Sequence, residues 1–156
     1  MTADEILYKL AARCSVSEQC LSDIEAKLAK YDLPDEEKTR ILRHLVKEKY
    51  IDDRRYAEAY VRDKYRFNKW GRIKIAQGLR MKGVDRESID AAMKAIDQAE
   101  YLNILRDLLK AKHKSTRGKS DYEINGKLVR FAIGRGFEYS AIRQCLDGDI
   151  DEYEMD

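Results

Sequence analysis

Two kinds of side chain in this 156-residue chain could do chemistry with a partner: clustered cations, and a few aromatics set among them. Residues 62–82 hold Arg62, Lys64, Arg66, Lys69, Arg72, Lys74, Arg80 and Lys82 against Asp63 alone. Such a run attracts phosphate oxygens or carboxylates; alternatively it is a solvated face that keeps the chain soluble. Tyr56 and Tyr60, four apart, could stack on bases, although a pair at that spacing on an apolar helical face is more simply core. Trp70, between Lys69 and Gly71, suits packing and contact equally. A second basic run, Arg106 to Lys119, holds six bases against Asp107, and the last ten residues hold six acids and no base.

Reactive and metal-binding patterns are weak. No Walker-type loop, HExxH or GxSxG is present. Cys14 and Cys20 have five residues between them and no second pair, and His44 and His113 stand alone, so zinc is not expected. Asp147, Asp149 and Asp151 resemble the opening of a calcium loop, but Glu152 replaces the required glycine and the twelfth position falls beyond Asp156. Asp52 and Asp53 could bind a metal; a helix cap is the simpler role. Cys145 is expected to be buried on an apolar face. No cofactor is expected, and nothing points to an enzyme.

The elements that hold these side chains are helices. One proline, Pro34, interrupts the chain, and apolar residues recur at three- and four-residue spacing. Start and stop signals divide it into nine segments with no convincing strand. Thr2 with Glu5 and Ser15 with Glu18 each form a capping-box pattern. Pro34 with the acids after it opens a third helix. Asp52 or Asp53 caps a fourth, Gly71 precedes a fifth that stops at Gly83, and Asp85 caps a sixth. A seventh covers Ala99 to Lys112, followed by a loop from His113 to Ser120. An eighth runs from Asp121 to Gly136, and a ninth from Tyr139 to Leu146.

At about 100° per residue, Tyr56, Ala57, Tyr60 and Val61 mark the apolar side of the fourth helix. Arg62 and Arg66 fall nearly opposite, while Lys64 lies toward that side and must snorkel. Ile75 and Leu79 mark the core side of the fifth. Lys74 and Arg80 point away from it, and Arg72 sits near its edge. Arg62, Arg66, Lys69, Lys74 and Arg80 are thus the stronger contact candidates.

A repeat runs through the chain. Ile24, Leu28, Asp32, Leu33 and Leu42 return 51 residues later as Ile75, Leu79, Gly83, Val84 and Met93. After a further 53 residues stand Leu128, Ala132, Gly136, Phe137 and Leu146. Each copy has a helix, a turn residue able to take the left-handed conformation, an apolar residue and a second helix. The expected architecture is all-α: three tandem three-helix repeats at 1–51, 52–98 and 99–150, with an acidic tail at 151–156. Each repeat is too small to bury a core alone, so the three must pack in series.

Charge follows this division. The formal net charge of +2 excludes a uniformly basic nucleic-acid binder, yet residues 52–99 carry a net +4 between two segments of −1. The composition, 44% hydrophobic and 38% charged, argues against disorder. Asp4, Glu5 and Lys9 leave no signal-peptide core near the start, and no stretch approaches the roughly 18 apolar residues of a membrane span. With three cysteines, the expected location is the cytoplasm, away from membranes.

Tyr50-Ile-Asp-Asp-Arg-Arg-Tyr-Ala-Glu-Ala-Tyr-Val61, then Gly71-Arg-Ile-Lys-Ile75, Leu79 and Lys82-Gly83-Val84, resembles the signature of the bacterial RecX family. Arg135-Gly-Phe137 with Ile142 is similar to that family's C-terminal unit, and Ser17 to Leu28 to its first. Tyr56 stands where the family often has Phe, and Asp32 where other units have Gly. The resemblance implies an elongated, curved array of three helical repeats. It also implies binding to the RecA recombinase and its filament on single-stranded DNA, in the filament groove, with direct DNA contact left open. Restraint of strand exchange, ATP hydrolysis and co-protease activity would result, in homologous recombination, DNA repair and the SOS response. Two rivals remain: a stand-alone helical DNA-binding module that competes for DNA, and a generic protein-interaction scaffold.

Overall fold

The structure, a computed structural model, describes residues 1–146, and every regular element among them is a helix: α1 (Ala3–Val16), α2 (Leu21–Leu28), α3 (Asp35–Lys47), α4 (Asp53–Arg66), α5 (Arg72–Met81), α6 (Arg86–Lys94), α7 (Gln98–Ser115), α8 (Asp121–Gly134) and α9 (Tyr139–Cys145). Among the described residues none of these helices is long and apolar enough to cross a membrane. The calcium-loop look-alike at Asp147 to Asp151 and the acidic tail lie outside the described residues.

The chain forms two compact units that interleave in sequence: Met1–Ala59 with Leu79–Ala92, and Tyr60–Gly78 with the described residues from Met93. In the first unit Ile6, Leu10 and Cys14 of α1 meet Ile24, Leu28, Ile41, Leu45 and Ile51, all buried, with Leu33 and Leu42 half-buried against them. Burying an Ile or Leu side chain contributes about 1.5–3 kcal/mol, which is what short helices such as α2 need to persist. In the second unit Tyr101 and Phe137 are the largest fully buried side chains, their ring centroids 5.3 Å apart. Tyr65 adds an edge-on contact to Tyr101 at 6.4 Å, and Leu105, Leu128 and Ile142 complete that core.

Two copies of the repeat share one turn geometry. After α5, the Val84 N–H donates to the Leu79 carbonyl and the Gly83 N–H to Arg80. After α8, Phe137 donates to Ala132 and Gly136 to Ile133 in the same way. Gly83 and Gly136 have φ of 75° and 91°. This is the Schellman motif, whose paired bonds require a left-handed residue and whose flanking apolar residues pack together. The recurring Leu79–Gly83–Val84 and Ala132–Gly136–Phe137 are that motif in sequence form.

The first copy departs from it. Asp32 is not among the residues with positive φ, and the Leu33 N–H donates to Tyr31 instead of Leu28. The left-handed turn that the repeat allows at Asp32 therefore does not form. Lys49 (φ 61°) and Lys69 (φ 58°) take that conformation without any glycine signal.

Other boundaries also shift. The Thr2–Glu5 capping box is present, but the Ser15–Glu18 pattern opens no helix. α1 continues to Val16, where the Ser15 hydroxyl donates to the Ala11 carbonyl, and Glu18 turns to Arg55. α7 runs on to Ser115, shortening the expected loop after it, because the Lys112 carbonyl gathers the hydroxyls of Ser115 and Thr116.

Candidate functional site

The signature segment at the start of α4 builds a joint within the first unit. The Asp52 carboxylate accepts from the N–H groups of Arg54 and Arg55, capping its own helix. Asp53 reaches elsewhere: its Oδ1 accepts from the Leu21 N–H at 2.9 Å. That N–H opens α2, whose own N-cap residue, Cys20, makes no side-chain cap. Arg55 clasps Glu18 at 2.7 Å and donates to the carbonyl of Lys49 at 3.0 Å. At the same helix start the Ser22 hydroxyl donates to the Lys82 carbonyl, just before Gly83, and the Lys82 ammonium pairs with Asp23 at 3.0 Å.

The second unit repeats the arrangement at α5. The N–H groups of Gly71 and Ile73 donate to the carbonyls of Arg135 and Gly136 at 2.8 and 3.0 Å. Two of the otherwise unmet donors of a helix start are thereby satisfied by the α8–α9 turn. A Cβ on Gly71 would collide with the backbone of Gly136 and Phe137, and one on Gly136 with Lys74. Glycine is needed at both places for approach, and at Gly136 also for φ. The fully buried Ile75 and Leu79 lie on the core side of α5. Gly78 leaves room for the Tyr60 hydroxyl. Tyr56 and Tyr60 are half-buried, and the buried stripe of α4 is Ala57, Val61 and Tyr65.

Arg72 is held within this network. Its guanidinium bonds Glu138 at 3.0 Å and Gln98 at 2.6 Å and lies 4.1 Å from the Tyr101 ring centroid. The Tyr101 hydroxyl accepts from the Arg72 N–H at 3.0 Å and donates to Glu138. Burial, then the bond to Glu138, pushes the Tyr101 pKa well above its ordinary value. Arg66 is partly committed as well, pairing with Glu100 at 3.2 Å. Tyr65 donates to the same carboxylate, and these two bonds hold Glu100 below the usual range.

Two half-exposed lysines of the second unit, Lys64 and Lys74, gather around Trp70 and Tyr60. The ammoniums of Lys64 and Lys74 lie 4.7 and 4.5 Å from the Trp70 ring centroid, and Lys64 also covers Tyr60 at 5.2 Å. Trp70 is half-exposed. Lys69 donates to the Arg66 carbonyl at 2.6 Å, closing the end of α4. Arg62 is exposed, and its ion-pair partner among the described residues is its neighbour Asp63 at 3.9 Å. Phe67 is 76% exposed and Ile73 is 49% exposed. Arg80 belongs to the first unit, where it is exposed and has no ion-pair partner among the described residues.

The structure therefore gathers Lys64, Trp70 and Lys74, ties Arg72 and Arg66 to carboxylates, and leaves Arg62 and Arg80 to solvent. Phe67 escaped the sequence reading; it lies in the turn just past the end of α4. An aromatic set within the run of cations from Arg62 to Lys69 was the available signal. Cations around exposed aromatics can hold phosphates or carboxylates and offer a stacking surface. Among the described residues no group of three His, Cys, Asp or Glu is placed to hold a metal ion.

Comparison with known proteins adds a framework. The family model for the second three-helix domain of RecX matches residues 52–93, and that for its third three-helix domain matches residues 99–146. The chain is 29% identical to the regulatory protein RecX of Clostridium acetobutylicum, across 92% of this chain and 69% of that one. It is 30% identical to the regulatory protein RecX of Neisseria meningitidis serogroup C, across 83% and 80%. A crystal structure of a regulatory protein RecX superimposes with a TM-score of 0.81 at 25% identity, covering 92% of this chain and 72% of that one. RecX from Lactobacillus salivarius gives 0.79 at 21% identity, a likeness of fold, covering 92% and 93%.

Proposed function

The chain belongs to the RecX family of regulatory proteins, and from that premise we propose that it binds the RecA recombinase and its filament on single-stranded DNA. It acts by binding rather than catalysis and restrains ATP hydrolysis, strand exchange and co-protease activity. Its three repeats, at 1–51, 52–98 and 99–150, lie along the filament groove, and the outward cations of the second repeat meet acidic side chains or phosphates. The observation that carries this reading is the family match over both later repeats.

The test uses cations outside the carboxylate networks, one exposed and one lying over Trp70. Arg62→Glu with Lys74→Glu leaves the Glu100 and Glu138 networks intact, whereas reversing Arg66 would unpair Glu100. RecA ATPase on single-stranded DNA is measured with increasing native or double-variant protein. The expected result is an inhibition curve moved at least about tenfold to higher concentration, the equivalent of ~1.4 kcal/mol. An unchanged curve from the folded variant removes the basic face from the interaction.

A second reading is favoured by the exposed Phe67 near the lysine-flanked Trp70: direct binding to single-stranded DNA by stacking. It predicts association with naked DNA that weakens steeply with salt and needs no recombinase. Measuring association with DNA alone, RecA alone and assembled filament at two salt concentrations separates the two.

A further inference from the structure

The connection between α4 and α5 presents apolar side chains to solvent on a backbone that is not free to hide them. Phe67 and Ile73 are exposed, and Trp70 between them is half-exposed. Single apolar residues scattered over a surface are ordinary, whereas three crowded into residues 67–73 are of the kind that marks an interaction site. The chain beneath them is tied down. The Phe67 N–H donates to the Asp63 carbonyl at 2.9 Å, that of Trp70 to Lys64 at 3.1 Å, and that of Ile73 to Gly136 at 3.0 Å. Lys69 holds a left-handed φ of 58° without being glycine, a conformation that persists only where its surroundings impose it. The side chains are thus preorganised, and binding them need not order a loop.

Charge beside the patch specifies what fits it. Neighbouring ion pairs engage Arg62, Arg66 and Arg72, and the ammoniums of Lys64, Lys69 and Lys74 have no carboxylate partner among the described residues. Two of these ammoniums already lie over the Trp70 ring, so it offers a base little open π face, and the Ile73 side chain has none. Nucleic-acid stacking needs such faces, whereas a protein pocket needs only apolar surface. An apolar centre holding aromatics within a charged rim is the usual composition of a protein–protein contact.

We propose that Phe67, Trp70 and Ile73 are the apolar anchor by which the chain grips a protein partner, seated in an apolar pocket whose rim of carboxylates meets Lys64, Lys69 and Lys74. That partner is the recombinase of the reading above, on which this inference rests. Apolar burial supplies the grip, and the lysines steer the encounter and fix its orientation.

The test compares the full native chain with Phe67→Ala, with Phe67→Ala plus Ile73→Ser, and with Met81→Ser. The last removes an apolar side chain of the first unit that is 88% exposed. All three positions are exposed, and matching urea midpoints show that the variants stay folded. Affinity is measured for the RecA filament on single-stranded DNA, and for that DNA alone, at two salt concentrations. The double variant is expected to bind the filament at least about thirtyfold more weakly, the level of one interface hot spot. The factor should be the same at both salts, because apolar contacts are not screened, and binding to DNA alone should match the native chain. Phe67→Ala alone should weaken filament binding in the same direction, and Met81→Ser should leave it unchanged. Native-like filament binding by the double variant overturns the anchor and leaves the recombinase reading standing. An equal loss on DNA alone, which assigns the patch to nucleic acid, or an equal loss in Met81→Ser overturns it as well. A native chain that binds no filament overturns the recombinase reading, and the anchor with it.

Discussion

Tyr101 shows how much a single hydroxyl can organise. It is fully buried, accepts from the first N–H of α5 and donates to Glu138, which in turn holds Arg72. Tyr101→Phe leaves two partners unmet and is expected to cost about 1–3 kcal/mol, read as a lower urea midpoint. Tyr65 and Tyr101 both have raised pKa values, from burial first and carboxylate bonding second. A group whose pKa rises on folding stabilises fully below its unfolded value, here 10.0, and loses that contribution as pH climbs through the folded one. Stability should therefore fall above pH 10.0, and absorbance titration should find two of the ten tyrosines ionising late, together with unfolding. Side-chain types were legible in the sequence at this scale, but their partners were not. Helical spacing marked Arg72 as lying near the core edge, yet Glu138 stands 66 residues away. Asp52 or Asp53 read as the cap of α4; Asp52 takes that role, while Asp53 serves the start of α2.

Among the elements, the glycine turns were the most readable feature and helix starts the least. A Schellman turn writes its left-handed residue and apolar pair into consecutive positions, so Gly83 and Gly136 announced themselves. The starts of α2 and α5 are completed by distant groups, which leave no local trace. The two glycine types should respond differently to alanine. Gly71→Ala drives a methyl into the backbone at Gly136 and is expected to cost about 3 kcal/mol, the upper part of the usual overpacking range. At Gly83 a Cβ meets nothing within 4 Å, so Gly83→Ala bears only its positive φ, about 1–2 kcal/mol. Thermal or urea unfolding of the two variants ranks them. The cap of α6 offers an acid-side test. Bonds from Ser88 hold Asp85 below its ordinary 3.8, so its contribution is present above that pH and lost as pH falls through the lowered value. Asp85→Asn should flatten that part of the acid-unfolding profile.

For the whole molecule, all-α architecture and the family could both be read from the chain, the first from spacing and the second from the segment at 50–84. Surface availability could not. Helical geometry sorted the cations by direction, and only packing revealed that Arg66 and Arg72 are tied to carboxylates while Phe67 stands exposed. If the phosphates of single-stranded DNA are touched, each outward cation lost should reduce the log–log salt slope by about 0.7. Arg62→Glu with Lys74→Glu should then lower it by about 1.4, measured by titrating fluorescent single-stranded DNA across salt; an unchanged slope places those two away from phosphate. The distant completion of helix starts also sets an order on synthesis. Ser22 finds its acceptor 60 residues later, at Lys82, and Gly71 finds its own at Arg135. A ribosome adding about 5–20 residues per second delivers those partners several seconds after the helices they complete. The growing chain thus matures one repeat behind its own synthesis, and a pause in translation after α2 or α5 would hold an unfinished helix in the cell for as long as the pause lasts.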